Sequence, residues 1–141
     1  FINIKSIFFL TQLFFKLMKK TKGSIVNISS IVGPIGFNNL SGYAFTKSGL
    51  IGLTKSLPNE FAKQKIRVNS IAPSILDTPL AEKFLNSETK LENSRNRHPL
   101  KEIGSPKDIS EIVKFLLEDN SKWMTGQIIP FDGGMSSVKT N

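Results

Sequence analysis

The 141-residue chain has the length of a single domain and an ordinary globular composition, 39% hydrophobic and 21% charged. It holds no cysteine and one histidine, His98, which excludes disulfides and thiolate metal sites and argues against a histidine-built one. The net charge of +8 raises nucleic acid or an anionic membrane as partners; only Lys16, Lys19, Lys20 and Lys22 cluster, however, so a solvated surface with neither partner is expected.

Ile4, Ile7, Phe8, Leu10, Phe14, Phe15 and Met18 recur at helical spacing, which predicts an amphipathic helix over residues 2–20, stopped by Gly23. Asn3, Lys5, Gln12 and Lys16 interrupt it, so it falls short of the ~20 apolar residues of a membrane span. No basic segment precedes it and no cleavage site follows, so it is not read as a signal peptide, and a cytoplasmic location is expected. The chain starts inside this helix without a cap, which reads as truncation. Ser24–Ile28 is a β-branched run and reads as a buried strand, followed by a Ser-, Gly- and Asn-rich loop over 29–41. A long helix is expected from about Gly42 to Lys65, with Pro58 kinking or splitting it. Residues 66–71 form the next strand, closed by Pro73, and 79–97 read as mobile helical pieces over a polar stretch. Ser105 and Pro106 cap and begin a helix that runs to Glu118. Gln127–Phe131 is the last strand, ended by Asp132-Gly133-Gly134. His98 is expected to be exposed, and Trp123 to pack near the last strand.

Helices alternating with strands imply an α/β fold, a parallel sheet covered on both faces. Ligands of such sheets bind at the carboxyl ends of the strands, and two of the most polar loops, 29–41 and 72–78, leave those ends. Tyr43 and Lys47 stand one helical turn apart on one face, and Ser30 lies thirteen residues before Tyr43, at a strand end. A phenol serves as acid or base near neutrality only if its pKa falls from about 10 toward 7, which takes on the order of 4 kcal/mol of electrostatic help. A lysine one turn away supplies positive charge that favours the phenolate, and a serine hydroxyl can hold a carbonyl oxygen. Taken alone, Tyr and Lys at this spacing also occur on solvated helix faces.

Together, Asn27-Ile28-Ser29-Ser30, Tyr43-x-x-x-Lys47, Ile66-Arg67-Val68-Asn69-Ser70-Ile71-Ala72-Pro73, Thr125-Gly126-Gln127 and Asp132-Gly133-Gly134 resemble the short-chain dehydrogenase/reductase pattern, in order and at family-like spacing. Asn3, twenty-seven residues before Ser30, is similar to the family's catalytic asparagine. The resemblance covers essentially the whole chain. It implies that residues 1–141 are the C-terminal part, about three strands, of a single Rossmann-type doubly wound domain. It further implies an oxidoreductase transferring a hydride between NAD or NADP and a small-molecule carbonyl/alcohol substrate. Tyr43 would be the general acid/base, Lys47 would lower its pKa and hold the nicotinamide ribose, Ser30 would polarise the substrate oxygen, and Asn3 would hold a water relaying protons to Lys47. The loop from Pro73 through Ser74 and Leu76 to Thr78 would cover the nicotinamide, although Thr78 also suits a helix cap. The full-length form would be a homodimer or homotetramer.

The chain departs from the family pattern in three ways. Ser74 replaces the usual glycine after the loop proline, where it would strain the backbone or narrow the site. Pro58 replaces an alanine of a continuous helix. The glycine-rich pyrophosphate turn is absent, so the fragment alone is expected to be inactive. The rival expectation is a binding or regulatory protein that kept the scaffold and lost catalysis.

Overall fold

The computed structural model describes residues 2–139; Phe1, Thr140 and Asn141, the ends of the expected domain, lie outside the described residues. The first helix opens with a π-helical turn, Ile2–Ser6, and continues as α1, Ile7–Met18. Lys22, not Gly23, takes the left-handed conformation that turns the chain (φ 62°), and Gly23 already opens β1, Gly23–Ile28. The loop that follows contains a short helix, α2, Val32–Ile35, which the composition did not announce. Then come α3, Ser41–Phe61, a 3₁₀ turn at Ala62–Gln64, and β2, Ile66–Pro73, two residues longer than expected. The polar stretch holds a 3₁₀ turn (Pro79–Ala81), α4 (Glu82–Leu85) and α5 (Glu88–Asn96). Helix α6, Pro106–Leu117, leads to β3, Ile128–Phe131. Ser105 caps α6 through a reciprocal capping box: its hydroxyl accepts from the Asp108 N–H at 3.3 Å, and the Asp108 carboxylate accepts from the Ser105 N–H at 2.8 Å. The Ser105 hydroxyl, which also donates to the Asp108 carboxylate at 2.7 Å, and then the Ser105 N–H hold the Asp108 carboxyl below its ordinary pKa.

The three strands form one parallel sheet in the order β1-β2-β3. As the central strand, β2 is buried almost along its length, with Val68 and Ile71 fully covered. The core groups Leu57, Phe61, Ile66 and Val68, with Phe15 stacked on Phe61 at 4.3 Å between ring centres. Helix α3 is not split at Pro58. Buried Leu57 and Phe61 flank the proline and anchor the helix to the core on both sides of the lost hydrogen bond. On the other side of the sheet, α6 packs on β1 through the fully buried Leu116, and the Ser24 hydroxyl donates to the Leu116 carbonyl at 2.7 Å.

Candidate active site

The carboxyl end of β1 sets the site. After Ile28 the chain continues alongside β2: the Ser29 N–H donates to the Ile71 carbonyl at 2.8 Å, and the Ile31 N–H to the Pro73 carbonyl at 3.1 Å. Ser30 is buried, its hydroxyl donating to Pro73 O at 3.3 Å and accepting from the Val32 N–H at 3.2 Å. Helix α3 lies across this end. Its depth is fixed where the buried Asn27 side-chain amide donates to Thr54 Oγ1 at 2.9 Å. Its approach to the loop is fixed at Gly33, where a Cβ would stand 3.2 Å from the backbone of Lys47 and Ser48.

This docking brings Ser30, Tyr43 and Lys47 together. Lys47 reaches back along α3, and its ammonium donates to the Ile28 carbonyl at 2.9 Å, 5.5 Å from the centre of the Tyr43 ring. Burial pushes the Lys47 ammonium below its ordinary pKa. Burial also pushes the Tyr43 phenol above 10.0, opposed by the neighbouring Ser30 hydroxyl, which lowers it. The direction is opposite to the one expected from a lysine at the next turn. The ammonium here is drawn to a main-chain carbonyl over the ring face, and desolvation of the phenolate prevails.

Asn3 stands apart from this group. It lies exposed in the π-helical turn, and among the described residues no hydrogen bond joins it to Lys47. The turn does pack on α3, with the Ile4 side chain seated over Gly49.

The expected nicotinamide loop leaves the carboxyl end of β2. Ser74 is not among the residues with positive φ, so the replacement of glycine stores no left-handed strain there. Its N–H donates to Phe131 O at 3.2 Å. Leu76 bridges to Gly104, and Asp77 N–H donates to the Gly104 carbonyl at 2.9 Å. Thr78 occupies the cap position of the 79–81 turn but makes no side-chain cap bond; its hydroxyl donates instead to Leu76 O at 3.4 Å. Beside it an open groove of about 450 Å³ is lined by Asp77, Thr78, Pro79, Glu82, Leu85 and Asn86.

Two expectations are corrected next to the site. His98 is buried, only 2% exposed, because both ring nitrogens find partners: Ser74 Oγ at 2.7 Å from Nε2 and Ser94 O at 2.7 Å from Nδ1. Trp123 is 97% exposed, because the turn closed by Met124 N–H to Ser121 O carries it outward, while the next residues bond to β2. The only signals for His98 were Ser74 itself and the Pro99 that follows, and neither specifies a contact. Among the described residues no group of three or more metal-ligating side chains occurs, and no helix is long and apolar enough to cross a membrane.

A family model described as enoyl-(acyl carrier protein) reductase matches residues 1–136. The 3-oxoacyl-(acyl-carrier-protein) reductase of Thermotoga maritima is 41% identical over 135 residues, 95% of this chain and 54% of that protein. Among solved structures, 4-hydroxyisoleucine dehydrogenase complexed with NADH superposes with a TM-score of 0.93 at 34% identity, covering 98% of this chain and 58% of that one. ElxO with NADP bound superposes with a TM-score of 0.89 at 35% identity, covering 96% and 56%. The chain thus spans about half the length of the curated relatives it matches.

Proposed function

The chain belongs to the short-chain dehydrogenase/reductase family, and from that premise we propose that it carries the proton-transfer half of an NAD(P)-dependent oxidoreductase acting on a carbonyl/alcohol pair. The observation that carries this reading is the meeting of Ser30, Tyr43 and Lys47 at the carboxyl end of β1, with the Lys47 ammonium 5.5 Å from the Tyr43 ring centre. The activity, like assembly into a homodimer or homotetramer, is that of the full-length polypeptide.

The residues present fit a nicotinamide cofactor. Lys47 spends one of its three N–H donors on Ile28 O, leaving donors of the kind a ribose diol accepts. Pro73, Ser74, Leu76 and Thr78 line the loop leaving the central strand, where ligands of parallel sheets bind. When bound, the cofactor supplies or accepts the hydride. Tyr43 supplies the proton to the carbonyl oxygen, or removes it from the alcohol, and Ser30 donates a hydrogen bond to that oxygen. For this the serine hydroxyl turns from Pro73 O to the substrate. The raised phenol pKa makes Tyr43 a proton donor in the resting site; shifting it toward neutrality requires positive charge brought nearer the phenol than in the present Lys47 geometry. Asn3 remains a candidate for holding a relay water, supported only by the packing of its turn on α3.

The rival reading, a binding or regulatory protein that lost catalysis, rested on Ser74, Pro58 and the truncation. The first lies outside the strained region of backbone space and the second sits in an unbroken helix, so neither supports it. The test is Tyr43→Phe in the full-length polypeptide. Turnover should fall by about 10²–10⁴, the worth of a general acid/base, with the cofactor dissociation constant unchanged because the ring stays. Wild-type turnover in the variant would refute the assignment.

A further inference from the structure

Ser74 and His98 form a contact that the family pattern does not supply, since the serine is this chain's own departure from the usual glycine. The contact lies between two segments with different tasks in the proposed function. Ser74 begins the loop that leaves β2; His98 follows α5, in the segment that borders the groove side of the molecule.

The pair is held from every side. His98 Nδ1 lies 2.7 Å from Ser94 O, an acceptor without a proton, so Nδ1 carries the ring hydrogen. In the neutral ring Nε2 is then the acceptor, and Ser74 Oγ, 2.7 Å away, is the donor. Beneath the imidazole, Gly133 adopts φ 57°, and a Cβ there would lie 3.4 Å from His98 Cβ. The Leu100 N–H donates to the Gly133 carbonyl at 3.3 Å, so the turn after β3 seats the whole 98–100 segment. At the other end, Pro73, the residue before Ser74, accepts from both the Ser30 hydroxyl and the Ile31 N–H. A continuous polar line therefore runs from Ser30 through Pro73 and Ser74 to His98 and Ser94.

We propose that Ser74 and His98 act as a clamp that holds the nicotinamide-covering loop against the α5 segment, with His98 a positioning residue for cofactor binding. The proposal rests on the functional reading above. With the clamp closed, the loop presents its main chain in one place; with it open, binding must also order the loop, and that cost appears as weaker affinity.

The test separates the two ring contacts. Asn at position 98 can still donate from its amide to Ser94 O, but it is too short to reach Ser74. His98→Asn, Ser74→Ala and the double variant are therefore made in the full-length polypeptide, and dissociation constants for NADH and NADPH are measured by fluorescence titration. Each single substitution should weaken binding of the preferred cofactor by about three- to tenfold, the loss expected for one neutral hydrogen bond. The double variant should be no weaker than either single one, because the same bond is lost once. Ser74→Thr, which keeps the hydroxyl, should restore wild-type affinity, a rescue that a merely space-filling serine would not predict. Unchanged affinity in the single variants, or effects that multiply in the double one, overturns the clamp alone. A wild type that binds neither cofactor overturns the functional reading, and the clamp's role with it. Should the variants fail to fold, the His98 ring itself still decides. Long-range proton–nitrogen NMR of the wild type should show the hydrogen on Nδ1, and an Nε2-protonated ring would overturn the proposal.

Discussion

The carboxyl end of the sheet and the outer faces of its helices are built on opposite terms. At the sheet end, polar groups are buried and satisfied by the chain itself. Asn27 bonds Thr54, Ser70 bonds Asn27 O and Ser29, and Asp132 accepts from the Gly134 and Ser136 backbone and from the Ser136 hydroxyl. On α1, by contrast, Phe8, Phe9, Leu10, Leu13, Phe14 and Leu17 are exposed, and an apolar groove runs along α6 past Ile109, Val113 and Leu117. The difference teaches that the polar groups at the candidate catalytic end find their partners within this chain, whereas the lateral faces carry apolar side chains that nothing in it covers. An apolar area of that kind promotes association wherever it remains open.

The largest effect is expected from α6, whose inner side is buried on β1 while its outer side carries the apolar groove. Leu116→Ala removes a fully buried side chain against β1 and should lower unfolding free energy by about 2–5 kcal/mol, read by urea denaturation. In the middle of the central strand, Asn69→Ala should cost about 1–3 kcal/mol by the same measurement, because it leaves the Gln127 N–H and Met124 O without their buried partner. An equally large loss on replacing exposed residues of α1 would contradict the contrast.

Tyr43 is the only tyrosine, so the ultraviolet absorbance of the phenolate reads it alone. In the folded chain without cofactor it should ionise above 10.0, the ordinary value regained on unfolding in denaturant. Because its folded pKa is raised, its contribution to stability is fully present below the unfolded value and is lost as pH rises through the folded one. An ionisation below 10 in the folded chain would mean that Lys47, not burial, governs the phenol. The smallest stability effect belongs to the open face. Phe14, half exposed, replaced by Ser should change unfolding free energy by less than about 0.5 kcal/mol. Its signature is elsewhere: residues 1–141 expressed alone should self-associate, and the substitution should reduce that association in light scattering.

Much of this was legible in the residues. The alternation of helix and strand, the cap at Ser105 with Pro106 at the first helical position, and the grouping of Ser30, Tyr43 and Lys47 follow from patterns that repeat at 2 or 3.6 residues or sit at element ends. Helix α2 hid in a polar, glycine-containing stretch because its four residues carry no period long enough to read. Pro58 pointed to a kinked or split helix, and the split does not occur because local propensity knows nothing of the core packing around Leu57 and Phe61.

The sequence by itself determined the fold class and the family and put forward Ser30, Tyr43 and Lys47 as the candidate reacting side chains, since these rest on spacing along one chain. Only the tertiary structure decided three other things. It set the direction of the Tyr43 pKa, which depends on how much water the folded surroundings exclude. It buried His98 on Ser74, a contact between residues 24 apart that no local pattern encodes. It left Trp123 outside and Leu116 inside, because burial is a property of the packed sheet and helices, whereas hydrophobicity belongs to the residue alone.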